Sequence, residues 1–272
     1  MVKRVLTVVV GLPIVILLVH LGGLALTFFV GLAAIMGLKE LYTALEGKHK
    51  HIHWIGYVFA IIYFTALFLC STGYAVLFVF AGFIITVQLC LVFFYGRLTL
   101  DESVKTVYGF MYIPLLLAFV LLVRLHEFGA VFVWLIFTSS FGCDTFAYMF
   151  GVNFGKRKLT NTPSPNKSVE GLFGGVFGAA FVGGLYAFCI YQFTEQVQLS
   201  FIPIAIITCA VAAVFCIFGD MAASAIKRQT GIKDFGNVFP GHGGVLDRID
   251  SIMLAAPVIF ASLILVTRLG LI

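Results

Sequence analysis

Apolar runs long enough to cross a bilayer follow one another along almost the whole chain. A run of roughly 18 or more apolar residues spans the hydrocarbon core as a helix. Within lipid every backbone N–H and C=O must find a partner inside the protein, so a helix is the element such runs dictate. Set against the charged interruptions, nine spans are expected, at 5–20, 22–38, 54–70, 74–95, 107–123, 130–150, 171–192, 199–219 and 251–267. Only Leu21-Gly22-Gly23 separates the first two runs, which predicts a short hairpin or a tilted pair. The expected fold class is therefore an all-α polytopic membrane protein. No soluble domain fits between the spans: 61% of the residues are hydrophobic and 11% charged, against roughly 25% charged in a soluble domain. Met1-Val2-Lys3-Arg4 before the first run resembles the start of a signal peptide, but no small-residue cleavage site follows, so this run is read as a retained span.

The basic residues set an expected orientation. With the N-terminus in the cytoplasm, fifteen of the seventeen Lys and Arg fall on the cytoplasmic side, and only Arg124 and Arg268 fall outside. Positive charge is retained on the cytoplasmic face, so the expected topology is N-terminus inside and C-terminus periplasmic or external.

Several suggestive patterns read as packing or surface chemistry. Cys70, Cys90, Cys143, Cys189, Cys209 and Cys216 are scattered through apolar stretches without a C-x-x-C pair, and are expected to be packing residues. The loop expected from Lys39 to His53 contains Lys48, His49, Lys50, His51 and His53, which read as headgroup or solvent contacts rather than a metal site. Gly171, Gly175, Ala179 and Gly183 recur every four residues, with Gly174 and Gly178 beside them, as in helices that pack backbone to backbone. Gly151 to Arg157 fails as a Walker loop in both spacing and hydroxyl position, and reads as the loop ending the sixth span.

Chemistry concentrates at one membrane face. A charged side chain within a span costs roughly 2.5–3.5 kcal/mol on insertion scales, so it is usually paired or functional. Asp144 lies inside the sixth expected span, Asp220 ends the eighth, and Asp247 and Asp250 begin the ninth. Asp247 and Asp250 are three residues apart, on neighbouring helical positions at a helix N-terminus, where the dipole favours acids. Helix capping accounts for one of these acids but not for Asp144. Converging carboxylates without Cys or His spacing suit a hard cation, Mg²⁺ before Zn²⁺. The connection from Asp220 to Asp247 holds Lys227, Arg228 and Lys233, then Pro240-Gly241-His242-Gly243-Gly244, with Arg248 just beyond. Such cations, with glycines that admit phosphate close to backbone N–H groups, suit a triphosphate. Together these features point to phosphoryl or nucleotidyl transfer to a membrane substrate.

The segment Ser224-Ala225-Ile226-Lys227-Arg228, four residues, Lys233-Asp234-Phe235-Gly236, then Phe239 to Asp250 resembles the signature of the phosphatidate cytidylyltransferase family across 27 residues. Asp144-Thr145-Phe146-Ala147-Tyr148 and Pro165 to Gly171 are also similar to that family, so the likeness covers the second half of the chain, whereas in the first hundred residues only Lys39-Glu40-Leu41 shows a faint match. The resemblance implies an enzyme of phospholipid biosynthesis in the bacterial inner membrane, converting CTP and phosphatidic acid to CDP-diacylglycerol and diphosphate. It also implies Mg²⁺ in what reads as a two-cation site, K⁺ as the further monovalent cation, and a homodimer. Membrane lipids are the surroundings, and no nucleic acid is expected as a partner.

By that resemblance Asp220 and Asp247 hold the metal, with Asp144 and Asp250 as further ligands or orienting acids. Lys227, Arg228, Lys233 and Arg248 would neutralise phosphate charge, Lys227 and Arg248 being counted as catalytic with the two aspartates. Lys167, Ser168, Ser224, His242, Gly243 and Gly244 complete the expected substrate contacts, and Glu170 is expected to pair with one of the cations. His242 reads as a phosphate hydrogen-bond donor rather than a base, because a phosphomonoester with a second pKa near roughly 6 is already largely dianionic. The chain is expected to divide into a transmembrane scaffold of about four spans at 1–106 and a catalytic transmembrane region at 107–272. A transporter would lead one to expect an internal repeat and polar residues at mid-membrane. A CTP-dependent lipid kinase would share the phosphate equipment but release CDP. A non-catalytic scaffold leaves the clustered Asp, Lys and Arg without a role.

Overall fold

The computed structural model describes every residue except 1, 46–51, 71–72, 161, 166, 195–196, 240–242 and 272. Its elements are α1 (Val2–Leu21), α2 (Gly23–Leu45), α3 (His53–Leu69), α4 (Gly73–Phe93), α5 (Leu100–Phe110), a π-helical turn (Met111–Leu115), α6 (Leu116–Leu125), α7 (Gly129–Phe154), α8 (Val169–Phe193), α9 (Phe201–Gln229) and α10 (Leu246–Arg268). Among the described residues, β-structure is limited to isolated bridges. Among the described residues, seven helical segments can by length and composition cross a membrane: Gly23–Leu45, Val76–Phe93, Leu100–Leu125, Gly129–Phe154, Val169–Phe193, Phe201–Gln229 and Leu246–Arg268. The apolar α3 is shorter, at 17 residues. The chain is thus an all-helical integral membrane protein.

The helices overrun the apolar stretches. α2 continues to Leu45, so Lys39, Glu40 and Leu41 are helical and not part of a loop. α7 reaches Phe154, and the loop after it therefore starts later than Gly151. α9 runs to Gln229, which places Ser224, Lys227 and Arg228 on a helix rather than in the connection after Asp220. Hydropathy marks only the lipid-facing length, whereas Ala, Leu, Lys, Arg and Glu propagate a helix beyond it. The turn ends α9 through Gly231, whose φ of 74° is a left-handed conformation suited to glycine. At the other end of the chain, α1 and α2 have 20 and 23 residues and meet at Gly22 and Gly23, with φ of 62° and 49°. At 1.5 Å per residue each helix is about 30 Å or longer, so both extend beyond the apolar runs at 5–20 and 22–38.

Two compact units form. One comprises residues 1–121 and 230–248, the other 122–229 and 249–272. In the first unit, α2 contributes a buried stripe of Leu26, Val30, Ala34, Leu38, Leu41 and Tyr42. The Tyr42 hydroxyl donates to the Thr106 carbonyl at 2.8 Å, and its ring stacks on His53 with centroids 4.3 Å apart. His53 is buried, so it is a packing partner of Tyr42 and not the headgroup or solvent contact expected for it; Lys48, His49, Lys50 and His51 lie outside the described residues. A Cβ at Gly56 or Gly109 would overlap the Tyr42 ring, so glycine at both positions makes the slot it fills. Phe83 stacks on Phe110 at 4.3 Å just before the π turn. Pro114 lies within that turn, where the wider winding absorbs its missing N–H.

The second unit is built on close backbone approach. Gly171, Gly174, Gly175, Gly178, Ala179, Gly183 and Gly184 are buried along α8. A Cβ at Gly175 would lie 3.0 Å from Cys143 Sγ, and one at Gly142 on α7 would lie 3.1 Å from the Ala179 backbone. The glycine stripe is therefore helix packing, as its spacing predicts. α9 joins this pair through Cys143 and Cys209, whose thiols lie within 3.7 Å of the Ala213 carbonyl and 3.8 Å of the Leu135 carbonyl. Cys143, Cys209 and Cys216 are buried, Cys90 is half-buried and Cys70 and Cys189 are exposed; all six thiols are free.

Candidate active site

Within the second unit, α7, α8 and α9 surround a cavity of about 370 Å³. Asp144 from α7, Lys167 and Ser168 from the entry to α8, and Asp220 from α9 line it, with Tyr148, Val152, Leu172 and Ile217 supplying apolar wall. Lys167 and Asp220 form an ion pair between Nζ and Oδ2, and both side chains remain partly exposed. An acid on α9 and a base on the α7–α8 connection thus meet at one point. Asp250, 7% exposed, lies within electrostatic range of Asp220, Lys227 and Asp144, and its Oδ1 accepts from the Ser251 N–H at 2.8 Å.

The Lys167 backbone is held by a short antiparallel contact. Leu159 N–H donates to the Lys167 carbonyl at 2.9 Å and Val169 N–H to the Arg157 carbonyl at 2.9 Å. Glu170, in the first turn of α8, accepts from the backbone N–H groups of Lys156 and Arg157 at 3.2–3.3 Å, so its carboxylate closes the loop through main-chain bonds. Ser168 caps α8: its Oγ accepts from Gly171 N–H at 3.1 Å, which satisfies one of the free donors at a helix start. Its hydroxyl proton remains available for a second bond.

The first unit holds the Gly-rich segment. Asp247, in the first turn of α10, accepts from the N–H groups of Phe235 at 2.8 Å and Gly244 at 3.0 Å, both on Oδ2. Gly243 adopts φ 83°, and Phe239 N–H donates to its carbonyl at 3.0 Å. Lys233 and Arg248 are exposed. Pro240, Gly241, His242 and Asn166 lie outside the described residues, and with them the expectation for His242. Asp247 and Asp250 are both carried by α10, while Ser224, Lys227 and Arg228 occupy the last two turns of α9.

Glu40 is a residue that sequence reasoning passed over. It is 7% exposed and accepts from Val245 N–H at 2.9 Å and Leu246 N–H at 2.8 Å. The only signal was the faint match at Lys39-Glu40-Leu41, at the polar end of an apolar run.

The donor chemistry fits a hard cation. Asp144 and Asp220 put carboxylate oxygens on the wall of a cavity that also holds Lys167, and Mg²⁺ is commonly held by one or two carboxylates together with substrate phosphates and water. Among the described residues no group of three or more His, Cys, Asp or Glu is disposed to hold a metal by itself.

Known proteins share this arrangement of sequence. The chain matches the Cytidylyltransferase family over residues 2–266. It is 38% identical over 165 residues to a phosphatidate cytidylyltransferase of Thermotoga maritima, covering 58% of this chain and 59% of that protein. The corresponding protein of Bacillus subtilis is 35% identical over 163 residues, 60% of this chain and 58% of its own length. The chain thus spans about three fifths of each of these two relatives. A phosphatidate cytidylyltransferase of Staphylococcus haemolyticus aligns at 30% identity over 267 residues, 94% of this chain and 96% of that protein. With a family match running nearly from end to end and a relative aligned over almost its full length, this chain belongs to the Cytidylyltransferase family.

Proposed function

We propose that the protein is a CTP:phosphatidate cytidylyltransferase, making CDP-diacylglycerol and diphosphate from CTP and phosphatidic acid. The observation that carries the proposal is the cavity in which Asp144, Lys167 and Asp220 meet beside the apolar residues Tyr148, Val152 and Leu172. A lipid phosphate has this mixed character, a charged head on an apolar body. The names of the relatives support the same reading.

The attacking group is an oxygen of the phosphatidate phosphate. At neutral pH this phosphomonoester is largely dianionic, with a second pKa near roughly 6, so no side chain has to remove a proton. The oxygen forms a new bond to the α-phosphorus of CTP while the bond from that phosphorus to the β-bridging oxygen breaks, and diphosphate leaves with the electron pair. The obstacle is the repulsion of two anions. In this reading Lys167, which lines the cavity, would attract one phosphate, and Lys227, Arg228, Lys233 and Arg248 would neutralise further phosphate charge. Ser168 can donate its hydroxyl proton to a phosphate oxygen while its lone pair caps α8. Ser224, His242 and the backbone of Gly243 and Gly244 complete the substrate contacts in this reading.

By the family resemblance Asp220 and Asp247 would hold Mg²⁺, with Asp144 and Asp250 as further ligands or orienting acids and K⁺ as a further monovalent cation. When bound, such a cation supplies Lewis-acid stabilisation of the phosphate charge. The same reading places the protein in the bacterial inner membrane as a homodimer, with the N-terminus and active site cytoplasmic and the C-terminus periplasmic. The test is diphosphate and CDP release by the detergent-purified chain given CTP, phosphatidic acid and Mg²⁺, with a no-lipid control. Lipid-dependent diphosphate release is the expected result; release of CDP in its place would make the enzyme a lipid kinase.

A further inference from the structure

We propose that Glu40 is a positioning residue for the reaction: its carboxylate, delivered from α2, holds the backbone of Val245 and Leu246, at the start of α10, in place. The inference rests on the cytidylyltransferase reading for its kinetic consequence, while its structural half stands apart from it. Glu40 is separated by 205 and 206 residues from the two N–H groups it accepts, those of Val245 and Leu246. These are among the donors that a helix leaves free at its start, and an acid there also meets the positive end of the helix dipole. Local side chains usually serve as caps, but here the acid comes from a distant helix. It therefore ties the backbone of Val245 and Leu246 to α2 as well as capping the helix start.

The loop is shaped around this carboxylate. A Cβ at either Gly236 or Gly244 would overlap the Glu40 side chain, so both ends of the segment pass against it as glycines. Asp247 binds the same stretch through Phe235 and Gly244 N–H. Two buried or half-buried acids thus clamp four backbone donors: Glu40 takes residues 245 and 246, and Asp247 takes residues 235 and 244. Without Glu40, the turn that carries Asp247 and Arg248 loses its fixed attachment, while both residues keep their own chemistry. Shape alone does not replace this. In Gln the oxygen can accept one N–H, but the amide NH₂ faces the other donor.

The test uses Glu40→Gln in the full-length, detergent-purified chain. The expected outcome is a kcat about 10- to 100-fold lower, as for supporting residues around reactive centres, with KM for CTP within about threefold and the thermal midpoint nearly unchanged. Hydrogen exchange in a peptide covering 243–247 is expected to accelerate, with α7 to α9 unaffected. Gly236→Ala, which displaces the carboxylate without removing it, is the second variant and is expected to reproduce both effects should Glu40→Gln not fold. Unchanged exchange at 243–247 in a folded variant overturns the clamp, and wild-type kcat alongside faster exchange overturns its positioning role. Since exchange does not depend on turnover, an inactive wild type would count against the enzymatic reading and leave the clamp to be decided by exchange.

Discussion

Lys167 and Asp220 meet in an ion pair although 52 residues of chain separate them, one at the entry to α8 and the other in α9. Both side chains stay near 30% exposed, so the pair adds little to stability, typically about 0–1 kcal/mol. Its consequence is for charge in the cavity. Lys167→Met and Asp220→Asn are each expected to lower kcat/KM at least about 100-fold without a marked change in thermal midpoint. The double variant is expected to be little worse than the more damaged single one, because residues acting as a unit are not additive. Additive losses in diphosphate release would show that the two act separately.

Backbone contact between α7 and α8 makes a second prediction. A side chain at Gly142 would press on Ala179 Cα and Gly178 O, atoms that cannot rotate away. Gly142→Val is expected to cost about 1–3 kcal/mol, as overpacking does, and to lower the thermal midpoint in detergent. Gly82→Ala on α4 is the contrast, with Phe59 at 3.8 Å as the nearest neighbour of its new Cβ. Removing a helical glycine there is expected to be neutral or to stabilise by about 0.5–1 kcal/mol. Equal effects at the two positions would mean that close approach does not govern the pair.

Much of this was legible in the sequence because lipid simplifies the code. Apolar runs announced the helices, and the four-residue glycine spacing on α8 announced its close packing against α7. Asp144 and Asp220 stood out because charge is rare in such runs, and both line the cavity. Helix ends were less legible, since hydropathy changes where the lipid ends and the hydrogen-bonded ladder does not; Lys227 and Arg228 are helical for this reason. Least visible were acids whose partners are backbone groups. Glu170 looked like a partner for a cation and instead binds main-chain N–H groups, and Glu40 looked like part of a polar loop. Nothing in residue type marks which distant N–H an acid will reach.

The slot around Tyr42 separates a hydrogen bond from a shape requirement. Tyr42→Phe removes the bond to the Thr106 carbonyl and is expected to cost about 0.5–1.5 kcal/mol. Gly109→Ala keeps that hydroxyl but drives a methyl into the ring, and so is expected to be the more damaging change. Thermal unfolding of the two variants in the same detergent orders them. A Tyr42→Phe loss larger than the Gly109→Ala loss would mean that the polar bond, and not the fit of the ring, holds α2 to α5.

Glu170 offers a way to disturb Lys167 without touching it. Its carboxylate fixes the N–H groups of Lys156 and Arg157, and Arg157 in turn accepts from Val169, two residues beyond Lys167. Glu170→Ala frees the strand-like pairing that holds the Lys167 backbone but leaves the cavity wall of α7 and α9 as it was. The expected result is a fall in kcat/KM of about tenfold, with faster limited proteolysis between 156 and 167 and no shift in the main unfolding transition. Glu170→Gln retains one good acceptor and is expected to lie between wild type and Glu170→Ala in both assays. If proteolysis accelerates while turnover stays at the wild-type level, Lys167 reaches its place through Asp220 alone, and the loop bonds serve only to close the α7–α8 connection.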